Sequence, residues 1–134
     1  MSINDLPLMS AIRGRLTWLD ERQRVIAQNV ANADTPGFVG RDLKTPTDFA
    51  AALRNAGGLQ MARTSSSHLS SPNAPGRFQG VSAPDSETTL DGNSVVVEEQ
   101  MLKMAESRMA YDAAIGFYQK SMTMLRMAAR PPGR

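Results

Sequence analysis

Apolar residues recur at alternating intervals of four and three residues through the last third of the chain, from Ser94 to Ala129. This spacing aligns side chains along one seam of a coiled-coil helix. We therefore predict one long helix, whose seam consists of Val97, Met101, Met104, Tyr111, Ile115, Tyr118, Met122 and Leu125. A turn precedes the helix at Asp91 and Gly92. Asn93 or Ser94 is expected to cap the free N–H groups of its first turn.

The same spacing occurs near the start of the chain. It predicts a first helix from about Asp5 to Asn32, with Pro7 in the first turn, where a missing N–H group costs little. The seam of this helix consists of Met9, Ile12, Leu16, Leu19, Ile26 and Val30. Pro36 and Gly37 follow the helix and fit the two central positions of a type II turn. We therefore expect the chain to bend sharply there.

Between the helices, the sequence is rich in Gly, Pro, Ser and Thr and has too few apolar residues to build a core. Only the segment 48–56 is compatible with a short helix. We predict three parts: an N-terminal helix with its elbow turn (1–38), an irregular middle segment (39–90) and a long C-terminal helix (91–130). The predicted fold is mainly α, an antiparallel coiled-coil hairpin of the two terminal helices.

Each seam has one polar interruption, Gln23 in the first helix and Arg108 in the second. In an antiparallel hairpin the two positions fall within about one helical turn of each other. This predicts a polar layer that fixes the register, with Asp20 as a carboxylate partner for Arg108. The alternative is that Arg108 lies beside the seam and extends its guanidinium group to water.

The second helix has a further row of apolar residues beside its seam. We call this row the apolar stripe; it consists of Leu102, Met109, Phe117, Met124 and Met127. A helix that is apolar on two faces is usually buried on two faces, and in so short a chain this favours another subunit as the second partner. The alternative is that the middle segment folds back over the stripe.

Composition excludes several kinds of site. The chain has 134 residues, a formal charge of +2 and no cysteine, so disulfides, thiolate metal sites and thiol catalysis are excluded, and nucleic-acid binding is not expected. The single histidine, His68, lies in a Ser- and Pro-rich stretch that is poorly suited to hold a catalytic geometry. We expect no enzyme, no cofactor and no small-molecule substrate. The first residues lack the pattern of a secretory signal, so any export is expected to use another route.

The end of the first helix resembles a known signature. The run Asn29-Val30-Ala31-Asn32-Ala33-Asp34-Thr35-Pro36-Gly37-Phe38, followed by Arg41-Asp42, is similar to the Asn-rich, Thr-Pro-Gly-aromatic motif of bacterial flagellar rod and hook proteins. The pattern from Thr64 to His68, the run from Leu90 to Val95 and the Met-rich helix after it most resemble the proximal rod type. The resemblance covers about residues 5–43 and 89–128.

This resemblance implies a non-enzymatic structural subunit of the flagellar basal-body rod, which spans the periplasm. It implies export by the flagellar type III apparatus and polymerisation through the terminal helices into the drive-shaft. The implied partners are copies of the chain itself, other rod proteins, and components of the inner-membrane ring and export gate at the base of the rod. The rival hypothesis is a soluble helical adaptor or secretion chaperone that binds one client and stays discrete.

The resemblance also implies a role for the signature residues. They would shape an elbow (residues 29–42) between an inner tube and an outer layer, and they are Asn29, Asn32, Asp34, Thr35, Pro36, Gly37, Phe38, Arg41 and Asp42. The alternative is that they stop the first helix and contact no partner.

Overall fold

Two long helices make up most of the structure. A computed structural model describes residues 7–45, 78–130 and 133. In chain order these residues form helix α1 (Pro7–Ala31), strand β1 (Arg41–Leu43), strand β2 (Gly80–Ser82) and helix α2 (Val97–Ala128). The predicted segment 48–56 and His68 lie outside the described residues. No helix within the described ranges has the length and apolar character needed to cross a membrane.

The two helices pack against each other in opposite directions. Near the end of α1, Asn29 donates a hydrogen bond to Gln100 in the first turn of α2. In the middle of α1, Trp18 and Leu19 pack with Ala110 and Tyr111 of α2. Positions along α2 therefore rise as positions along α1 fall. The predicted mainly helical, antiparallel hairpin of the terminal helices is confirmed.

The α1 side of the interface contains most of the buried apolar side chains. Of the seam residues, Met9, Ile12, Leu19 and Ile26 are buried, Leu16 is half-buried and Val30 is exposed. Each buried side chain of this size contributes about 1.5–3 kcal/mol of transfer free energy relative to full exposure. These four residues of α1 therefore supply much of the buried apolar surface of the hairpin.

Trp18 is also buried, although it is not part of the predicted seam. Its indole N–H donates to the carbonyl oxygen of Lys44 at 3.1 Å, and its ring packs with Leu43 of β1. The guanidinium carbons of Arg15 and Arg22 lie 5.0 Å and 5.5 Å from the ring centroid, within the range of cation–π attraction. The burial of Trp18 thus involves β1, whose position the helical spacing does not predict.

On α2 the face toward α1 differs from the predicted seam in its first half. The buried residues of this helix are Gln100 and Ser107, whereas Val97 and Met101 are exposed. The remaining seam residues are half-buried, and they are Met104, Tyr111, Ile115, Tyr118, Met122 and Leu125. Gln100 can be buried because Asn29 and Asp85 satisfy its amide group, an arrangement that a search for apolar periodicity does not detect.

The predicted polar layer is not formed by Gln23 and Arg108. Arg108 is exposed, Gln23 is half-buried, and no ion pair joins Arg108 to Asp20 in the described part of the chain. A side chain as long as arginine reaches water from the edge of a helix interface without leaving its position, which avoids the cost of burying a charge. The buried polar contact between the helices is instead made by Asn29 and Gln100.

The two ends of the middle segment meet in a short antiparallel ladder. Arg41 pairs with Ser82, Asp42 with Val81 and Leu43 with Gly80. The hydrogen bonds from Lys44 N to Gln79 O and from Ala83 N to Gly40 O, both 2.8 Å, extend the pairing in each direction. Leu43 is buried in the cluster with Trp18 and Leu19, so the ladder lies against the middle of α1.

Gly40 lies where three segments of backbone meet. Its N–H donates to Ser94 Oγ at 3.1 Å and its carbonyl accepts from Ala83 N. A Cβ atom at this position would lie 3.0 Å from the carbonyl oxygen of Ala83, which is tighter than ordinary van der Waals contact. Because the ladder holds that carbonyl in place, only glycine fits here without a shift.

We therefore expect Gly40→Ala to lower the free energy of unfolding by about 1–3 kcal/mol, as measured by urea denaturation followed by circular dichroism. The matched control is Gly14→Ala, because nothing lies within 4 Å of a Cβ at Gly14 in the exposed part of α1. That variant should be more stable by about 0.5–1 kcal/mol, since alanine loses less backbone entropy in a helix. Equal effects of the two substitutions would contradict the close approach at Gly40.

Candidate functional site

The elbow begins with a tight turn at the end of α1. Thr35 N donates to Asn32 O at 3.0 Å and Phe38 N donates to Thr35 O at 3.2 Å, so two successive turns stop the helix. Gly37 has a φ angle of 71°, a left-handed conformation that glycine adopts at little cost. The bond across Thr35 and Phe38 and the positive φ at Gly37 are the features of a type II turn, as the sequence predicts.

Residues 93 and 94, just before α2, hold this turn in position by hydrogen bonds. Asn93 is buried, and its Nδ2 donates to Asn32 O at 2.9 Å and to Thr35 O at 2.8 Å. Ser94 N donates to Phe38 O at 3.0 Å. The expected role of Asn93 or Ser94 as a helix cap is therefore wrong, since Val96 is the N-cap residue and both side chains bond the elbow or the loop around it. The elbow is thus held by hydrogen bonds from residues that are distant in the sequence and lie just before α2.

Asn29 joins three elements through one side chain. Its Oδ1 accepts from Arg41 N at 3.0 Å, and its Nδ2 donates to Arg41 O at 2.7 Å and to Gln100 Oε1 at 2.9 Å. The amide therefore pairs with the backbone of β1 as a neighbouring strand would, while it also holds α2. Since Asn29 is buried, water does not compete for these bonds and each unpaired group would cost free energy.

Asp85 caps the beginning of α2 and binds the amide nitrogen of Gln100, whose amide oxygen is bound by Asn29. Its carboxylate accepts from Val96 N at 2.8 Å, Gln100 Nε2 at 2.7 Å and Lys103 Nζ at 2.7 Å, and its side chain is fully shielded from solvent. A negative charge is favourable at this end of the helix macrodipole. We call Asn29, Gln100, Asp85 and Lys103 the polar network, because an unbroken series of hydrogen bonds connects them.

The ionisation of Asp85 reflects these partners. Burial by itself raises the pKa of the carboxyl group, but the hydrogen bonds from Lys103, Gln100 and the Val96 N–H, together with the charge of Lys103, lower the pKa below its ordinary value. The pKa of the exposed Asp91 is lowered as well, mainly by the hydrogen bond from the Thr89 hydroxyl and then by the Asn93 N–H. Both carboxylates therefore stabilise the folded state in their ionised form.

An ion pair attaches β1 to α1 beside the elbow. Arg22 Nε and Nη2 donate to the two carboxylate oxygens of Asp42, each at 3.0 Å. Such a two-point contact fixes orientation as well as distance. Asp42 belongs to the predicted elbow set, whereas Arg22 does not, because nothing in the spacing of α1 identifies the carboxylate that it binds.

The other elbow residues lie at the surface. Asp34, Thr35, Pro36 and Gly37 are exposed and Phe38 is half-buried. The Thr35 hydroxyl donates to Asn32 Oδ1 at 3.2 Å, which stabilises the turn from within. The signature therefore contains two side chains that bind within the chain, the buried Asn29 and the half-buried Asp42, and an exposed tip from Asp34 to Gly37.

The apolar stripe is exposed along the length of α2. Leu102, Met109, Phe117, Met124 and Met127 are 51% to 66% accessible to solvent within the described structure. At 1.5 Å per residue they extend over about 38 Å. Residues 46–77, which the sequence-based alternative would fold over the stripe, lie outside the described residues.

The described part of the chain contains no cluster of three or more His, Cys, Asp or Glu side chains suited to hold a metal ion. The Ser107 hydroxyl is buried without a hydrogen-bond partner among the described residues, and it lies on the face of α2 toward α1. Within the described structure, internal hydrogen bonds hold the elbow, and the apolar stripe of α2 is exposed to solvent.

Comparison with known proteins identifies relatives over most of the chain. Residues 10–38 match the family described as flagella basal body rod protein. The chain is 34% identical over 113 residues to the flagellar basal body rod protein FlgB of Proteus mirabilis strain HI4320, covering 76% of this chain and 78% of that protein. It is 31% identical over 111 residues to the protein of the same name in Salmonella typhimurium, with coverage of 71% and 72%. A relative of that name in Agrobacterium fabrum is 27% identical over 136 residues, with coverage of 96% and 97%.

We expect Asn29→Asp to lower the free energy of unfolding by about 3 kcal/mol, because it replaces a donor by a carboxylate oxygen facing Arg41 O and Gln100 Oε1. Urea denaturation at neutral pH measures the loss. Gln28→Glu is the matched control: it makes the same amide-to-acid change at an exposed neighbour and brings the same charge to the end of α1. Similar losses in both variants would show that charge at the helix end, rather than the buried amide, is responsible.

A second expectation concerns acid pH. Because the pKa of Asp85 is lower in the folded state than its ordinary value of 3.8, its contribution to stability is complete at pH values above that ordinary value. The contribution is lost as the pH falls through the lower folded-state pKa. We expect the free energy of unfolding to decrease below about pH 4 in the wild type, and to decrease less steeply in Asp85→Asn. Asp91 is present in both proteins, so identical slopes would contradict the role of Asp85.

Proposed function

Because this chain belongs to the family of flagellar basal body rod proteins and is a structural component of that rod, we propose that it is a proximal rod subunit that polymerises through its terminal helices. In this proposal α1 and α2 form the subunit's contribution to the shaft, and the stripe contacts the neighbouring subunits. The chain acts by holding neighbours in place and has no catalytic role.

The observation that carries the proposal is the exposed apolar stripe on α2. A neighbour that covers side chains already half-exposed contributes about 1 kcal/mol for each of them. Several such contacts per subunit, repeated by a heterologous arrangement that does not close on itself, produce a helical polymer. A single-client adaptor would also have an apolar surface, but the relatives are rod proteins.

The elbow supports the same role by its rigidity. The bonds of Asn29, Asn93 and the Arg22–Asp42 pair fix how the chain leaves α1 and returns to α2. A subunit that transmits torque needs such a fixed direction between its helices and the segment outside them. We propose that the exposed tip, Asp34 to Gly37, contacts the next layer of the rod.

We further propose that the chain is exported unfolded through the flagellar type III apparatus. The described core is small, and its buried apolar residues are Met9, Ile12, Trp18, Leu19, Ile26 and Leu43. A small core leaves a low free energy of unfolding, and without cysteine no disulfide has to be reduced before passage. The proposed partners after export are copies of the chain, other rod proteins, the inner-membrane ring and the export gate.

We expect Phe117→Asp to abolish swimming while the protein is still made, because a carboxylate on the stripe cannot be buried against a neighbour without a large cost. The measurement is the swimming zone in soft agar of a strain that carries only the variant, with immunoblotting for the protein. Gln119→Asp is the control: it is exposed, two residues away and about 160° around the same helix. Normal swimming of the Phe117→Asp strain would reject the proposed use of the stripe.

A further inference from the structure

Exposed side chains along α2 are spaced symmetrically about Ala113. Counting from this residue, the face that bears the stripe has exposed side chains at four, seven and eleven residues in both directions. These distances correspond to about one, two and three helical turns, so the side chains form one continuous strip from Leu102 to Met124. The spacing of the strip is therefore the same when it is followed from either end.

The apolar members of the strip match each other across this centre. Leu102 and Met124 lie eleven residues on either side of Ala113, and Met109 and Phe117 lie four residues on either side. All four are exposed, with 51% to 66% of each residue accessible to solvent within the described structure. Two copies of such a strip that pack antiparallel can cover each other's apolar side chains.

The charged members of the strip are complementary in the same way. Glu106 lies seven residues before Ala113 and Lys120 lies seven residues after it, and both are exposed. In two antiparallel copies centred on this residue, Glu106 of each would face Lys120 of the other. One Glu–Lys ion pair would then lie on each side of the axis, between the inner and the outer apolar contacts, and a shift of register would remove both pairs.

We propose that the free chain forms a closed antiparallel homodimer through this strip, with its two-fold axis at Ala113. A two-fold axis makes the same patch serve both partners, as a self-complementary strip requires. The small side chain at the axis allows the two helices to approach closely. The match ends at Met124, since the next stripe residue, Met127, would face Glu99, which accepts hydrogen bonds from Ser86.

The dimer and the proposed rod contact use the same face of α2. Only this consequence rests on the proposed function: the dimer shields the stripe in the free protein, and it has to dissociate before the subunit joins the rod. A closed dimer also stops at two copies, whereas the rod contact continues. The dimer therefore delays polymerisation until neighbouring subunits make stronger or more numerous contacts with the stripe.

The test is the association of the purified full-length chain, measured by sedimentation equilibrium. Glu106→Lys and Lys120→Glu each turn two attractive pairs into two repulsive pairs, so each should weaken the dimer about tenfold. The double variant restores both pairs in reversed sense and should return the dissociation constant to within about threefold of the wild type. Asp112→Lys makes the same charge change on another exposed face of α2 and should leave association unchanged.

A covalent readout checks the position of the axis. After mild oxidation, Ala113→Cys should form a disulfide-linked dimer, because the two thiols meet at the axis, whereas Gln119→Cys should not. Circular dichroism establishes that each variant keeps its helices. A wild-type protein that stays monomeric, charge reversals without effect, or a double variant that does not recover would overturn the dimer. If the chain is monomeric and Phe117→Asp still abolishes swimming, the dimer is rejected and the proposed function stands.

Discussion

The structure depends on a buried hydrogen-bonded contact between Asn29 and Gln100, at the end where the two helices are joined. Asn29 also pairs with the backbone of Arg41, and Gln100 also donates to Asp85. The direction of α1, the position of β1 and the start of α2 therefore depend on one another. Because these amides are buried, an incorrect register would leave polar groups unpaired, which makes the contact specific as well as stabilising.

The elbow and the apolar stripe of α2 differ in their contacts. At the elbow, hydrogen bonds and the Arg22–Asp42 ion pair restrict movement within the subunit. Along α2, the described residues leave the apolar stripe exposed to solvent. The proposed function uses both properties, since contacts between subunits would transmit force only if the helices that bear them keep a fixed direction.

The apolar spacing of α2 predicts burial correctly in the second half of the helix but not in the first. From Tyr111 onward the apolar seam residues are half-buried, as the spacing predicts, whereas earlier in the helix Gln100 and Ser107 are buried and Met101 is exposed. Apolar spacing identifies an interface only where burial and hydrophobicity coincide. Near the elbow they do not coincide, because Asn29 and Asp85 supply partners that make a polar side chain suitable for the interior.

The sequence by itself determined the two helices, their antiparallel pairing, the Pro36–Gly37 turn and the family signature. These features depend on local spacing, on the conformational preference of glycine and on residues adjacent in the chain. Only the tertiary structure decided the burial of Trp18, the β1–β2 ladder and the polar network around Asp85. Each of these joins residues distant in sequence, such as Asn29 and Gln100, and their hydrogen bonds depend on positions in space that no periodic pattern records.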